Sequence, residues 1–164
     1  MLDSVEGVIV YANGKKWGIV FRGITNLNLD AKGRLAIPVR YRESFAADNN
    51  QLVVTVDIHS RCLAIYPRNT WEKLQKEIDA LPSTNRMAAY IKRMLIGHAT
   101  DLTLDAAGRV LIPSELRAYA GLEKACVLAG VGKKFELWNA EAWSALSEQF
   151  LSEIEGEDLP AALE

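Results

Sequence analysis

Residues 27–45, LNLDAKGRLAIPVRYRESF, align without a gap to residues 102–120, LTLDAAGRVLIPSELRAYA, and nine of the nineteen positions are identical. A second block, CLAIYPRNTWEKL (residues 62–74), aligns to KFELWNAEAWSAL (residues 134–146). The offset falls from 75 to 72 between the blocks, so the first copy carries three extra residues in the connection. A chain that repeats itself over most of its length builds one small unit twice.

Each copy reads alike. Leu27 and Leu29, like Leu102 and Leu104, alternate with polar residues as in a half-buried strand, and apolar strand character resumes after Arg34 and Arg109. The Asp-x-x-Gly between them is a turn. Gly33 and Gly108 tolerate positive φ, and Asp30 and Asp105 can accept backbone N–H groups two residues on. Pro38 and Pro113 end the strands, and a short helix is expected next, more clearly in the second copy, where Ser114 is placed to cap Glu115 to Ala120. Residues 52–57 with 62–66, and 125–129 with 135–138, complete each unit as strands.

A helix closes each copy. Asn69 with Glu72 reads as an N-terminal capping pair before Trp71, Leu74 and Ile78 on one face. Asn139 is placed to cap a second helix, whose Trp143, Leu146, Phe150, Leu151 and Ile154 share a face. Such stripes read as core or subunit contacts rather than as a cofactor box. Between the copies, Leu-Pro-Ser-Thr-Asn (residues 81–85) precedes a helix with Met87, Ile91, Met94 and Leu95 on one side, and its Arg86, Lys92 and Arg93 read as a solvated basic face.

The net charge is −2, which argues at first against a nucleic-acid partner. Its distribution reverses that argument. Residues 141–164 hold seven acids and no Lys or Arg, whereas residues 21–140 hold 17 basic and 12 acidic residues, so +5 in the middle is masked by −7 at the end. Cys62 and Cys126 stand apart, without the paired spacing of a zinc site, and read as buried apolar side chains in a reducing compartment. No metal and no cofactor is expected. No apolar run approaches the ~20 residues of a membrane span, and the first 20 residues lack a secretory pattern. A cytoplasmic protein is expected.

The order FRG (residues 21–23), LNLDAKGRLAIPVRYRE (27–43), CLAIYP (62–67) with Trp71, LIGHA (95–99), DAAGR (105–109), LRAYAGL (116–122) and KFELW (134–138) resembles the MraZ family of bacterial transcriptional regulators. The resemblance covers residues 21 to about 150. It implies an α+β fold of two tandem swapped-hairpin units of the AbrB type, forming a pseudo-dimeric β-barrel with flanking helices. It also implies a ring-shaped homo-oligomer, an octamer, associated with the nucleoid. Such a ring would bind double-stranded DNA at G-rich direct repeats upstream of the division and cell-wall gene cluster, its own gene included. On this reading the units span 21–82 and 97–154, joined by a connecting helix over 83–96 and followed by an acidic tail over 155–164. Family members begin at a Met before Phe-Arg-Gly. Val20 holds that place here, so translation is expected to start there and residues 1–19 to be upstream sequence, although Asn13-Gly14 between apolar residues reads as a hairpin.

The residue chemistry suits DNA. A turn that projects a long cation from a rigid strand pair can set guanidinium against phosphate or against the O6 and N7 edge of guanine. Arg34 and Lys32, followed by Arg40 and Arg42, are expected to carry most of the contact. The second copy has Ala107 for Lys32 and Glu115 for Arg40, which leaves Arg109 as a weaker contact or a structural arginine. The alternative for both is that each Arg pairs with the Asp four residues before it and only stiffens the turn. Two rivals share the fold, a purely structural ring and a partner-binding antitoxin-like module. Asp57, His59 and Cys62 are close enough in sequence to suggest a nucleophile and its base. The chain lacks a glycine-rich phosphate loop, a paired-cysteine site and an HExxH helix, however, and is read as a binding protein, not an enzyme, with no small-molecule substrate.

Overall fold

The computed structural model describes residues 10–12, 15–18, 20–154 and 160–161. Near the N-terminus, β1 (Val10–Ala12) pairs antiparallel with β2 (Lys15–Gly18), as the hairpin reading requires, with Asn13 and Gly14 themselves outside the described residues. The first copy then runs β3 (Phe21–Asn28), β4 (Arg34–Ala36), α1 (Val39–Ala46), β5 (Gln51–Val56), β6 (Leu63–Pro67) and α2 (Arg68–Asp79). A connector follows, α3 (Arg86–Ile91), which continues into a π-helical turn over Lys92–Ile96. The second copy repeats the series as β7 (Thr100–Thr103), β8 (Arg109–Leu111), α4 (Ser114–Tyr119), β9 (Ala125–Gly132), β10 (Phe135–Asn139) and α5 (Ala140–Glu153).

The two copies are interleaved. Six strands form one antiparallel sheet in the order β3-β9-β10-β6-β5-β7, and β4 and β8 form a separate ribbon. Exchanging each strand for its counterpart in the other copy reverses that order and leaves it otherwise unchanged, so a pseudo-two-fold axis runs between β6 and β10 and through the ribbon. The first strand of each copy pairs with the other copy: β3 with β9, from Phe21 opposite Gly132 to Asn28 opposite Ala125, and β7 with β5. Neither copy can complete its sheet alone. Among the described residues no ladder joins the outer strands β3 and β7, so the hydrogen-bonded sheet stays open, with the ribbon packed against the same core.

Period-two burial explains the ribbon. Leu35 and Ile37 point inward, as do Val110 and Ile112, while Ala36 and Leu111 point out. Between ribbon and sheet, Phe21, Tyr41, Phe45 and Phe135 cluster, with Phe21 to Phe135 at 4.1 Å and Tyr41 to Phe135 at 4.7 Å between ring centres. Strand β5 is buried on both faces. Leu52, Val54 and Val56 enter that core, whereas Val53 lies under α2 and the Thr55 hydroxyl donates to the Leu95 carbonyl at 2.7 Å.

Three local expectations are corrected. Helix α4 begins at Ser114 itself, with Pro113 at the cap and no side-chain cap, and the helix in the first copy is the longer one. Asn69 is not a cap: α2 starts at Arg68 behind Pro67, and the Asn69 N–H is met by the Asp48 carboxylate at 3.5 Å while Arg68 reaches Gln51 and Glu72. Pro67 still pairs with Leu52 in the sheet, so the helix starts directly off the strand. Met87 is 63% exposed rather than part of the packed side of α3. Asn139, by contrast, caps α5 as expected, accepting from the Ala142 N–H at 3.1 Å.

Candidate nucleic-acid interface

The two Asp-Ala-x-Gly-Arg turns link β3 to β4 and β7 to β8 and have the same internal geometry. In the first, Asp30 Oδ1 accepts the N–H groups of Lys32 (2.9 Å) and Arg34 (2.8 Å), and Asp30 Oδ2 accepts Arg34 Nε at 2.5 Å. In the second, Asp105 Oδ1 accepts from Ala107 and Arg109, both at 2.9 Å, and Asp105 Oδ2 accepts Arg109 Nε at 3.1 Å. Gly33 and Gly108 close the turns at φ of 86° and 74°. The backbone N–H of Arg34 is the main reason the Asp30 carboxyl lies below the usual carboxylate range, against partial desolvation and with help from its guanidinium and from Lys32. Asp105 is lowered in the same way by Arg109 and Ala107.

Of each guanidinium, only Nε donates to the aspartate. The terminal guanidinium nitrogens of Arg34 and Arg109 make no hydrogen bond or ion pair among the described residues. The ribbon brings these two ends together. With Leu35 opposite Val110, Arg34 opposite Leu111 and Arg109 opposite Ala36, both arginines leave the same outward face, with Cα atoms about 8 Å apart from strand rise and spacing. Lys32 extends from the tip of the first turn and is exposed. The face therefore offers three cations, two of them oriented, and an exposed Leu111 that the repeat gave no reason to single out.

Arg40 and Arg42 lie elsewhere. Arg40 sits on α1, where its Nη2 donates to Thr25 Oγ1 at 2.5 Å and its guanidinium lies 4.5 Å over the Tyr41 ring. Arg42 Nε donates to the Ile37 carbonyl at 2.8 Å, and its guanidinium lies beneath Gly108, the turn glycine of the other copy. Arg117, the counterpart of Arg42, lies beneath Gly33, where a Cβ would come within 2.6 Å of it. The same crossing is made by the backbone, with Ile37 N–H to the Gly108 carbonyl at 2.9 Å and Ile112 N–H to the Gly33 carbonyl at 3.1 Å. Each turn is thus braced by the arginine of the opposite copy. Identity of Arg42 and Arg117 between the blocks was the only sequence signal of that role.

Away from this face, Asp57, Cys62 and Glu136 bring one ligand atom each within 4.8 Å of one another. A cation is already there, since Lys134 Nζ lies 3.5 Å from Asp57 Oδ1. Asp57 Oδ2 accepts the N–H groups of His59 and Ser60, which makes it the anchor of a tight loop. The Cys62 thiol is fully buried and burial pushes its pKa well up, while His59 lies exposed outside. The geometry does not assemble these three residues as a nucleophile and base.

The fold and this face together define a duplicated, interleaved α+β protein that presents two oriented arginines from one ribbon. Comparison with known sequences gives that class a family. The family model of the MraZ protein matches twice, over residues 20–94 and 95–161. Among curated relatives, the transcriptional regulator MraZ of Hydrogenovibrio crunogenus is 49% identical over 146 residues, covering 88% of this chain and 96% of the relative. That of Alkalilimnicola ehrlichii is 48% identical over 145 residues (88% and 97%), and that of Legionella pneumophila strain Corby 50% over 135 residues (82% and 89%). The chain belongs to the MraZ family. No helix among its described residues is long and apolar enough to cross a membrane.

Proposed function

We propose that the protein is a sequence-specific DNA-binding regulator of transcription that lays the outward face of the β4–β8 ribbon, with its two flanking turns, on duplex DNA. The observation that carries this reading is the Nε grip. Asp30 and Asp105 restrain each guanidinium at Nε and leave its two terminal nitrogens without a hydrogen-bond partner among the described residues. That fork matches the O6/N7 edge of guanine or two phosphate oxygens, and a good bidentate pair gives ~1–3 kcal/mol of discrimination against a wrong base. Pairing with aspartate and contact with DNA are therefore compatible: the first orients what the second uses.

Arg34 and Lys32 are the stronger contact and Arg109, with Ala107 beside it, the weaker one. Arg42 acts on DNA through the second turn, which it braces beneath Gly108, and Arg40 through α1, both adding positive potential. One face of net charge about +1 is weak alone, so the reading includes multiplicity. In accord with the family resemblance, several copies form a ring, an octamer, whose turns engage short G-rich direct repeats together. The proposed sites lie upstream of the division and cell-wall gene cluster, the protein's own gene included, which places it on the nucleoid. The single core shared by ribbon and sheet supports the two units acting as one pseudo-dimeric barrel.

The test is titration of a duplex carrying the gene's own upstream repeats with wild type, Arg34→Ala and Arg109→Ala at two salt concentrations. Expected are a steep loss of affinity with salt, from counterion release, and loss of the preference for G-rich repeats in Arg34→Ala. Binding that ignores both salt and Arg34 would leave a structural ring or a protein-binding module as the function.

A further inference from the structure

The pseudo-two-fold leaves one pair of equivalent helices in unequal surroundings. Trp71, Leu74 and Ile78 of α2 correspond to Trp143, Leu146 and Phe150 of α5. Each tryptophan packs on the aromatic ring at the equivalent strand position, Trp71 on Tyr66 at 5.4 Å and Trp143 on Trp138 at 5.8 Å. Beyond that the two copies differ. Ile91, Leu95 and Ile96, from α3 and its π-helical turn, roof α2, so Trp71 and Ile78 are buried. No segment roofs α5 among the described residues, and Phe150 is 56% and Leu151 66% exposed. An apolar stripe that one copy covers is bare in the other.

The rims of the bare stripe are acidic. At 100° per residue, Glu153 flanks it beside Leu146, and Glu141 and Glu148 flank it beyond Leu151, with no Lys or Arg on the helix. A complementary surface lies on α3. Ala88, Ile91 and Leu95 face the body of the protein, while Met87 and Tyr90 (53% exposed) face out between the exposed Arg86 and Arg93. Of nine exposed large apolar residues among the described residues, five lie on these two helices. The apolar surface is concentrated there, and the charges around it have opposite sign.

We propose that α5 of one molecule docks on the outer face of α3 of a second copy, which supplies to α5 the kind of roof that α2 receives within its own chain. Phe150 and Leu151 meet Met87 and Tyr90, and Glu148 and Glu153 meet Arg86 and Arg93. The contact joins unlike surfaces, so every molecule added leaves one α5 and one α3 free. Such a head-to-tail contact propagates until it closes on itself, and a two-fold dimer cannot satisfy it. This deepens the multimer reading given above and rests on it, but it needs nothing from the DNA contact.

The full-length protein is to be sized by sedimentation or mass photometry as wild type, Phe150→Glu and Tyr90→Glu, with circular dichroism confirming that each folds. Both substituted positions are exposed. Each variant is expected to weaken association roughly thirtyfold or more, as central aromatic contacts do, and to run as a monomer. The decisive sample is the two variants mixed. Phe150→Glu keeps a sound α3 and Tyr90→Glu a sound α5, so an equimolar mixture forms one-to-one dimers and nothing larger. Either variant remaining fully assembled overturns this interface while the multimer reading stands, and so does a mixture that stays monomeric. A monomeric wild type overturns the multimer reading itself.

Discussion

The guanidinium of Arg42 lies directly beneath Gly108, so an arginine of the first copy supports the turn that presents Arg109 in the second. Arg117 and Gly33 repeat the relationship in the other direction. Because both turns depend on the opposite copy, the presenting face is complete only when the two halves are interleaved. The duplication is then more than a doubling of contacts, since each unit is part of the scaffold of the other.

The first prediction separates that brace from ordinary glycine strain. Alanine at positive φ costs roughly 1–2 kcal/mol wherever it is placed. Gly121→Ala, at φ 59° with open space around its Cβ position, is expected to lose only that. Gly108→Ala adds an overlap with Arg42 and is expected to lose more. In an Arg42→Ala background the excess disappears, a coupling of about 0.5–3 kcal/mol in a double-mutant cycle read from urea unfolding midpoints. Equal losses at Gly108 and Gly121 would show that Arg42 does not press on the turn.

Arg34→Lys keeps the charge and removes both the planar fork and the Nε tie to Asp30. The salt slope of DNA binding is expected to stay within about one of wild type, while the preference for the G-rich repeat drops by ~1–3 kcal/mol. Arg34→Ala lowers both. If Arg34→Lys keeps full preference, the fork is not what reads the base.

The carboxyls of Asp30 and Asp105 are held low in the folded protein, so each contributes stability that is present above its unfolded value and lost as the pH falls through its folded value. Carbon-detected NMR titration is expected to place both below the ordinary ~3.9. In Arg34→Ala, Asp30 rises only part of the way, because the first cause of its shift is the backbone N–H of residue 34, which the substitution keeps. A complete return to the ordinary value would assign the shift to the guanidinium instead.

What the sequence discloses here depends on the range of the interaction. The Asp30 and Asp105 turns could be read in advance because their hydrogen bonds span four residues or fewer. The repeat likewise announces two equal units, but it says nothing of which strand each one pairs with, and β3 lies against β9 through contacts about a hundred residues apart. Arg40 reads as a free cation in sequence; only the fold brings Thr25 to it and turns its guanidinium back over the ring of the neighbouring Tyr41. Asn69 and Glu72 form a good capping pattern, defeated because Pro67 carries strand pairing up to the helix start and Asp48 meets the open N–H. Likewise, the matched stripes on α2 and α5 look the same on paper. Their exposure differs because the roof over α2 is the connector, which occurs once among the described residues.

Lys134 provides the last prediction. Its Nζ lies 3.5 Å from the Asp57 carboxylate, which is buried and otherwise held by the N–H groups of His59 and Ser60. Burial pulls the lysine pKa down, but Tyr66, Asp57 and Glu136 outweigh it and the net shift is upward. A raised folded value means that the ion pair stabilises fully below the ordinary lysine range, and that its contribution is lost only as the pH rises through the folded value. At neutral pH the whole effect is therefore available to mutation. Lys134→Met leaves a buried carboxylate with two donors and is expected to destabilise by about 1–3 kcal/mol. Adding Asp57→Asn removes the unpaired charge and recovers much of that loss. The loop from Asp57 to Cys62 also carries the carbonyl that accepts the Tyr119 hydroxyl at 2.6 Å, so it ties α4 of the second copy to the first. Urea unfolding at pH 7 of the two single variants and the double measures the pair directly. Additive losses in the double variant would mean that Lys134 stabilises the fold through its packing on Tyr66 rather than through Asp57.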